Sequence, residues 1–232
     1  MKLFAKPSTA ILGSLSAIVA VFCFSTNDVA IKFISKDYAL HLVVLIRSLV
    51  GLIVLFLFIV PLSGGIKVLY TNRLGLHLLR GFCVVFANIT FFLGLAALPL
   101  AEGVAIFFIS PLLITIFSVV FLKEIVGPRR WAAVTIGLIG VLVILRPGSA
   151  TFQTASLLPL SAAFGYATLH MLTRYIGKTE SAASMSFYIQ LTFLAVCLIL
   201  GLTIGDGKFA GWNDPSLEFL FRAWSWPSRD HY

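Results

Sequence analysis

The stretch LRGFCVVFANITFFLGLAALPLAEGVAIFFISPLLITIFSVVFLKE, residues 79–124, decides the fold of this chain. It contains two apolar runs separated by a short turn at 98–103, and charged residues are rare within either run. A helix needs about 20 apolar residues to cross a hydrocarbon core of about 30 Å. The stretch therefore predicts two consecutive membrane-spanning helices.

Similar apolar runs fill most of the sequence on both sides of this stretch. Only 11% of the 232 residues are charged, about half of what a soluble domain carries. We therefore predict an all-α integral membrane protein. Its seven expected spans are 10–34, 40–61, 76–98, 103–122, 131–146, 155–176 and 183–204.

The basic residues that give the chain its net charge of +8 lie mostly at the ends of these spans. They form no single basic stripe, so we expect the bilayer and not a nucleic acid as the partner. The N-terminus and the second, fourth and sixth loops are richer in Lys and Arg than the other loops. The positive-inside rule then predicts a cytoplasmic N-terminus in the inner (plasma) membrane and an external segment after the seventh span.

An internal repeat appears when the chain is aligned with itself at an offset of 142 residues. Phe24 then aligns with Tyr166, and Lys32 aligns with Arg174, without a gap. Five spans separate the two copies, and because this number is odd the second copy is inverted in the membrane. Inverted repeats around a midplane site are typical of secondary transporters.

Short motifs in the opening stretch and the next span carry a family resemblance. They are the LPLAEG turn, the FFISPL start of the fourth span, the KE pair at its end and G-x-x-G-V within GPRRWAAVTIGLIGVLVILRPG, residues 127–148. In this order and spacing they resemble the EamA-type domain of the drug/metabolite transporter superfamily. Members of that family have ten helices in two inverted five-helix repeats and move small metabolites, amino acids or drugs.

The resemblance implies a multi-helix transporter bundle in which the second repeat is incomplete, with about seven of ten expected spans. The first repeat would occupy 1–147, and the incomplete second would occupy 148–232 with an external tail. We expect such a chain not to transport alone, or to do so only by pairing with another copy as a homodimer.

The function that this resemblance implies is secondary transport of a small molecule by alternating access. The alternative is a seven-helix receptor or a membrane-embedded accessory protein. An enzyme is not expected, because the sequence contains no H-E-x-x-H, no G-x-S-x-G and no paired carboxylates. Cys23, Cys83 and Cys197 lie in apolar runs, so no metal site or cofactor is predicted.

Ionisable residues at membrane depth are candidates for the transport site because they are costly there. Asp28 and Arg47 each lie about seven residues, roughly 10 Å, from the same predicted membrane face. We expect their side chains to approach within ion-pair range inside the bundle. They would form either a gate or a site for a zwitterionic or anionic substrate, or a purely structural pair. Lys32 lies one turn after Asp28. It would either compete with Arg47 for the Asp28 carboxylate or extend to the outer surface.

Further polar residues fall within the predicted spans. His170 aligns closely with Asp28 in the repeat and would either relay protons, as a coupling ion, or hydrogen-bond within the helix packing. Asn27 and Asn88 would line a cavity or bond between helices.

The sixth and seventh spans add three polar side chains that we expect to face the same cavity, namely those of Tyr166, Tyr188 and Gln190. Arg80 lies near the start of the third span and is expected to extend to the cytoplasmic surface.

Overall fold

The computed structural model describes residues 9–145, 153–209, 211 and 213–223, and those residues contain no β-strand. This confirms the all-α prediction. The α-helices are α1 (Thr9–Ile34), α2 (Leu40–Val54), α3 (Val60–Leu62), α4 (Leu74–Ala97), α5 (Leu100–Phe107), α6 (Ser110–Leu122), α7 (Pro128–Leu145), α8 (Leu157–Ile176), α9 (Ala182–Ile204) and α10 (Pro215–Phe221).

Six of the predicted spans match helical segments that are long and apolar enough to cross a membrane. They are Gly13–Ile34, Leu40–Leu62, Leu74–Ala97, Leu100–Leu122, Thr154–Ile176 and Ala182–Ile204. Every predicted end lies within three residues of the observed one. The remaining span, 131–146, coincides with α7, whose C-terminal end borders residues outside the described part.

Two of these spans are interrupted helices. A π-helical turn at Leu55–Ile59 joins α2 to the short α3. The fourth span changes direction between α5 and α6, because α5 ends at Phe107 and α6 begins at Ser110. Pro111 then occupies the first turn of α6, where its missing N–H is tolerated.

Helix α4 is the centre of the bundle and packs chiefly against α8 and α9. Gly165 permits a close approach of α8 to α4, since a Cβ there would lie 2.9 Å from Cδ1 of Phe86 and 3.1 Å from the carbonyl oxygen of Cys83. Phe92 and Leu95 of α4 are fully buried in the resulting core. By contrast, α1 is largely exposed within the bundle and packs mainly against α4.

The helix boundaries follow the 142-residue offset seen in the sequence. Helices α1 and α8 end at Ile34 and Ile176, and helices α2 and α9 begin at Leu40 and Ala182. Helix α10 begins at Pro215, one residue before the position that corresponds to the start of α4. The corresponding helices therefore start and stop in the same register.

The turns gather at two opposite ends of the bundle. The Ser35 end consists of 35–39, 98–99, 205–209, 211 and 213–214, and the Glu180 end consists of 63–73, 123–127 and 177–181. Ser216 Oγ donates to the carbonyl oxygen of Leu93 at the first, at 2.9 Å. Thr71 Oγ1 donates to Glu180 Oε1 at the second, also at 2.9 Å.

Candidate substrate cavity

A cavity of about 240 Å³ lies between α1, α2, α4, α5 and α8. It is mostly lined by aromatic and aliphatic side chains, including Phe91 and Phe107. Apart from Ser25, its polar lining consists of five predicted transport residues: Asn27, Asp28, Arg47, Asn88 and Tyr166. The structure therefore brings these five together from four different helices.

The α4 wall of the cavity follows from helix periodicity. Asn88, Phe91 and Phe92 are three and four residues apart, so they share one face of α4. This face presents one amide between aromatic rings. Although they are adjacent in sequence, Phe91 and Phe92 therefore both line the cavity with Asn88.

The Arg47 side chain, which belongs to α2, contacts one amide and two aromatic rings. Its Nη2 donates to Asn88 Oδ1 at 3.2 Å, and its guanidinium carbon lies 5.4 Å from the ring centre of Phe92 and 5.2 Å from that of Phe193. Asn88 Nδ2 in turn donates to the carbonyl oxygen of Val84 at 2.9 Å. The charge is thus held among π-systems, which partly stabilise it.

Asp28 lines the same cavity from α1, where Asn27 Nδ2 lies 3.5 Å from its Oδ1. Among the residues that the structure describes, Asp28 and Arg47 form no ion pair. The expectation of ion-pair contact is therefore wrong, although the expectation of a shared interior face is confirmed. The reason is that Arg47 binds Asn88 on α4, while α1 stands apart from α2.

A chain of aromatic rings leads from the cavity towards His170. Ring centres are 4.7 Å apart for Phe91 and Phe107, 5.1 Å for Phe107 and Tyr166, and 4.4 Å for Tyr166 and His170. His170 lines a separate cavity of about 140 Å³, together with Arg174 and residues of α6 and α7. Tyr166 therefore stands between the two cavities, and His170 does not reach the first.

The structure places the other two predicted residues at helix interfaces. The Tyr188 ring lies 4.7 Å from that of His77 and 5.3 Å from that of Phe187. The Gln190 side chain packs against Gly51, where an added Cβ would lie 2.2 Å from Nε2. Neither residue lines the main cavity, contrary to the expectation that both face it. As the seventh and ninth residues of α9, they contact α4 and α2 instead.

The sequence reading overlooked a polar cluster at the Glu180 end. Glu180 accepts from Thr71 Oγ1 at 2.9 Å and from Ser184 Oγ at 3.3 Å. Its Oε2 lies 3.4 Å from Nε2 of the buried His77, an ion-pair distance without good hydrogen-bond alignment. Burial acts to raise the pKa of Glu180, but these donors and the charge of His77 together hold that pKa below its ordinary value. The feature of the sequence that could have revealed this cluster was an acidic residue, Glu180, in a basic loop.

Arg80 lies at the Glu180 end of the bundle, and its position differs from the predicted one. It is buried and does not extend to the surface. Its Nε donates to Thr173 Oγ1 at 2.7 Å, and its Nη1 donates to the carbonyl oxygen of Met185 at 2.9 Å. Because α8 and α9 both supply acceptors, the guanidinium joins three helices instead of reaching water.

Lys32 anchors α1 at the Ser35 end. Its Nζ donates to the carbonyl oxygens of Leu95, Ala96 at 3.2 Å and Leu98 at 2.7 Å, all at the C-terminal end of α4. These carbonyls lack helical partners, and a cation is favourable beside them. Lys32 therefore binds α4 and neither pairs with Asp28 nor extends to the surface.

Within the described ranges, His, Cys, Asp and Glu side chains form no group of three that could hold a metal ion. The free thiols of Cys83 and Cys197 lie on α4 and α9. The described polar residues of the cavity are therefore suited to hydrogen bonds and charge pairing with an organic molecule.

Six apolar spans around a partly charged cavity define a multi-pass membrane protein. The model of the EamA-like transporter family matches residues 11–146, more than half of the chain. This chain belongs to that family. No solved structure matches it.

Several similar proteins are transporters by name. The chain is 32% identical over 193 residues to a riboflavin transporter of Vibrio cholerae, covering 82% of this chain and 64% of the relative. It is 29% identical to an S-adenosylmethionine uptake transporter of Rickettsia bellii, covering 78% of this chain and 62% of the relative. It is 24% identical to a pseudopaline exporter of Pseudomonas aeruginosa, covering 91% and 70%. The chain thus spans less than two thirds of the length of the first two.

Proposed function

We propose that this protein is a secondary transporter that moves a small polar metabolite across the membrane by alternating access, and that it is not an enzyme. The observation that carries this proposal is that Asp28 and Arg47, which form no ion pair with any residue that the structure describes, face one aromatic cavity inside the bundle. Charges at membrane depth are costly and are retained mainly where they serve a pathway.

The cavity wall suits a substrate that combines a ring or apolar part with polar groups. Phe91, Phe107 and Tyr166 offer ring faces, while Arg47 and Asp28 offer opposite charges. The names of the relatives support a small metabolite as the substrate class. Riboflavin and S-adenosylmethionine are therefore the first compounds to test.

The test is uptake of radiolabelled riboflavin and S-adenosylmethionine into cells that make this chain, compared with cells that lack it. We expect saturable uptake of at least one compound, and an Arg47→Gln variant should reduce it about tenfold or more, as loss of about 1.4 kcal/mol of binding does. Lys36→Gln, at the exposed Ser35 end, is the matched control and should retain uptake. The proposal is contradicted if cells with and without the chain accumulate both compounds equally and also release them equally after loading.

We further propose an inner-membrane location with a cytoplasmic N-terminus, on the basis of the loop charges. The Glu180 end is then cytoplasmic. In intact cells a cysteine introduced by Ser63→Cys should resist a membrane-impermeant thiol reagent and react after permeabilisation, whereas one introduced by Asp206→Cys should react at once. Labelling of the Ser63 position in intact cells would reverse the orientation.

Proton coupling and pairing of two copies belong to the same proposal. The ring contact between His170 and Tyr166 supports a proton-dependent step, because it connects a titratable group to the cavity wall. A protonophore should abolish concentrative uptake, and uptake unaffected by it would exclude proton coupling. Crosslinking in membranes should detect the second copy.

A further inference from the structure

Arg47 has an unusual set of partners for an arginine that is half-buried inside the bundle. A guanidinium offers five N–H donors, and buried arginines normally meet a carboxylate. In the part of the chain that the structure describes, Arg47 donates only to the neutral amide of Asn88 and otherwise contacts the rings of Phe92 and Phe193. Its positive charge therefore has no bonded counter-charge.

The orientation of the Asn88 amide is fixed by its second hydrogen bond. Because Nδ2 donates to the carbonyl oxygen of Val84, the acceptor Oδ1 must face Arg47. The amide thus directs the guanidinium without neutralising it. An aspartate at the same position would give an acceptor of the same shape and would cancel the charge.

We propose that Arg47 binds an oxyanion of the transported molecule, a carboxylate or phosphate, and that Asn88 is the positioning residue that keeps this charge available. The inference rests on the proposed function, because it assigns the chemistry of the same cavity. The two rings flanking Arg47 hold the guanidinium plane, which suits two-point recognition of a planar or tetrahedral oxyanion.

A purely structural role for Arg47 makes a different prediction. If Arg47 only joins α2 to α4 and α9, replacing its amide partner by a carboxylate would keep the contact with Arg47, although the carboxylate could no longer donate to the carbonyl oxygen of Val84. If Arg47 binds an oxyanion, the same replacement would block the site. Asn88→Asp therefore separates the two roles, because its side chain has nearly the same shape as the original.

The experiment measures binding to the purified 232-residue chain in detergent by calorimetry, with probes that share a phenyl ring. The probes are 3-phenylpropionate, phenyl phosphate and the neutral 3-phenylpropan-1-ol. We expect at least one anion to bind about tenfold or more tightly than the alcohol. The stronger of the two anions identifies the oxyanion as a carboxylate or a phosphate.

Four variants accompany the wild type. Asn88→Asp and Arg47→Gln should bind the anions no more tightly than the alcohol, whereas Arg47→Lys should keep part of the preference because it keeps the charge. Asn213→Asp makes the same amide-to-acid change at the exposed Ser35 end and should behave as wild type. Thermal unfolding of each variant without a probe identifies any variant that fails to fold. Arg47→Lys is then used in place of that variant.

Two results overturn the inference. One is a wild-type chain that binds neither anion more tightly than the alcohol, and the other is a folded Asn88→Asp variant with the full anion preference. The uptake assay does not depend on either of these two binding results. Normal uptake with no anion preference would leave the proposed function standing and remove this inference alone, whereas anion preference without uptake would do the reverse.

Discussion

The cavity and the Glu180 end contain similar charged residues in opposite states of pairing. At the Glu180 end, Arg80 and Glu180 each have at least two protein partners. In the cavity, Arg47 meets one neutral amide and two rings, and Asp28 meets one amide. The first arrangement joins several helices, while the second leaves both charges without a bonded counter-charge among the described residues. The partners of a charged residue therefore distinguish the two regions more clearly than its residue type or its depth in the membrane does.

The largest expected effect comes from removing the two arginines in turn. Arg80→Gln should lower the free energy of unfolding by about 3 kcal/mol, because it disrupts two hydrogen bonds from a buried charged group. Arg47→Gln should change that free energy by less than about 1 kcal/mol while reducing uptake about tenfold or more, because the loss of two cation–π contacts and one amide bond is offset by removing a charge that has no bonded counter-charge. Unfolding in detergent by circular dichroism measures both.

The opposite order of stabilities, with Arg47→Gln more damaging than Arg80→Gln, would show that the comparison is mistaken. An Arg80→Lys variant is the conservative control. It keeps the charge but loses the fork that reaches α8 and α9 together, so an intermediate loss is expected.

The next effect concerns the attachment of α1 at the Ser35 end. Lys32→Met should lower the free energy of unfolding by about 2 kcal/mol, since three carbonyl oxygens at the end of α4 lose a charged donor. It should also speed the reaction of a cysteine placed by Ser25→Cys, because the cavity wall formed by α1 becomes less firmly held. Lys36→Met is the matched control, being one turn away and exposed. Equal labelling rates in the two variants would exclude Lys32 as the anchor of α1.

The smallest effect is the contribution of Glu180 and its pH dependence. Glu180→Gln should lower the free energy of unfolding by about 1 kcal/mol at pH 7, because the charged form accepts from Thr71 and Ser184 beside His77. The pKa of Glu180 is lower in the folded state than its ordinary value of about 4.3. Its contribution is therefore full above that ordinary value and is lost as the pH falls through the lower folded pKa.

The check is a comparison of unfolding at pH 7 and pH 3, where the difference between wild type and Glu180→Gln should shrink. Glu124→Gln is the control, since Glu124 pairs with Arg174 at an exposed position and such pairs contribute little. A difference that grows on acidification would contradict the assignment.

The spans of this protein were predictable because membrane length and hydropathy are local properties of the sequence. The predicted ends of 40–61 and 155–176 fall within one residue of the observed helical segments. The interruption between α5 and α6 lies just before Pro111, because proline is accepted in the first turn of a helix. The candidate residues at membrane depth were also visible in the sequence, as rare polar side chains in apolar runs.

By itself, the sequence determined the all-α class, six observed spans, the family motifs and a set of eight polar candidates that includes the five found at the cavity. Only the tertiary structure decided which polar groups meet: Arg47 binds Asn88 rather than Asp28, Lys32 binds the end of α4, and Arg80 is buried against α8 and α9. The physical reason is one of range. Hydropathy and helix length act within a segment, whereas the partner of a charge depends on how helices far apart in the chain are tilted and rotated against one another.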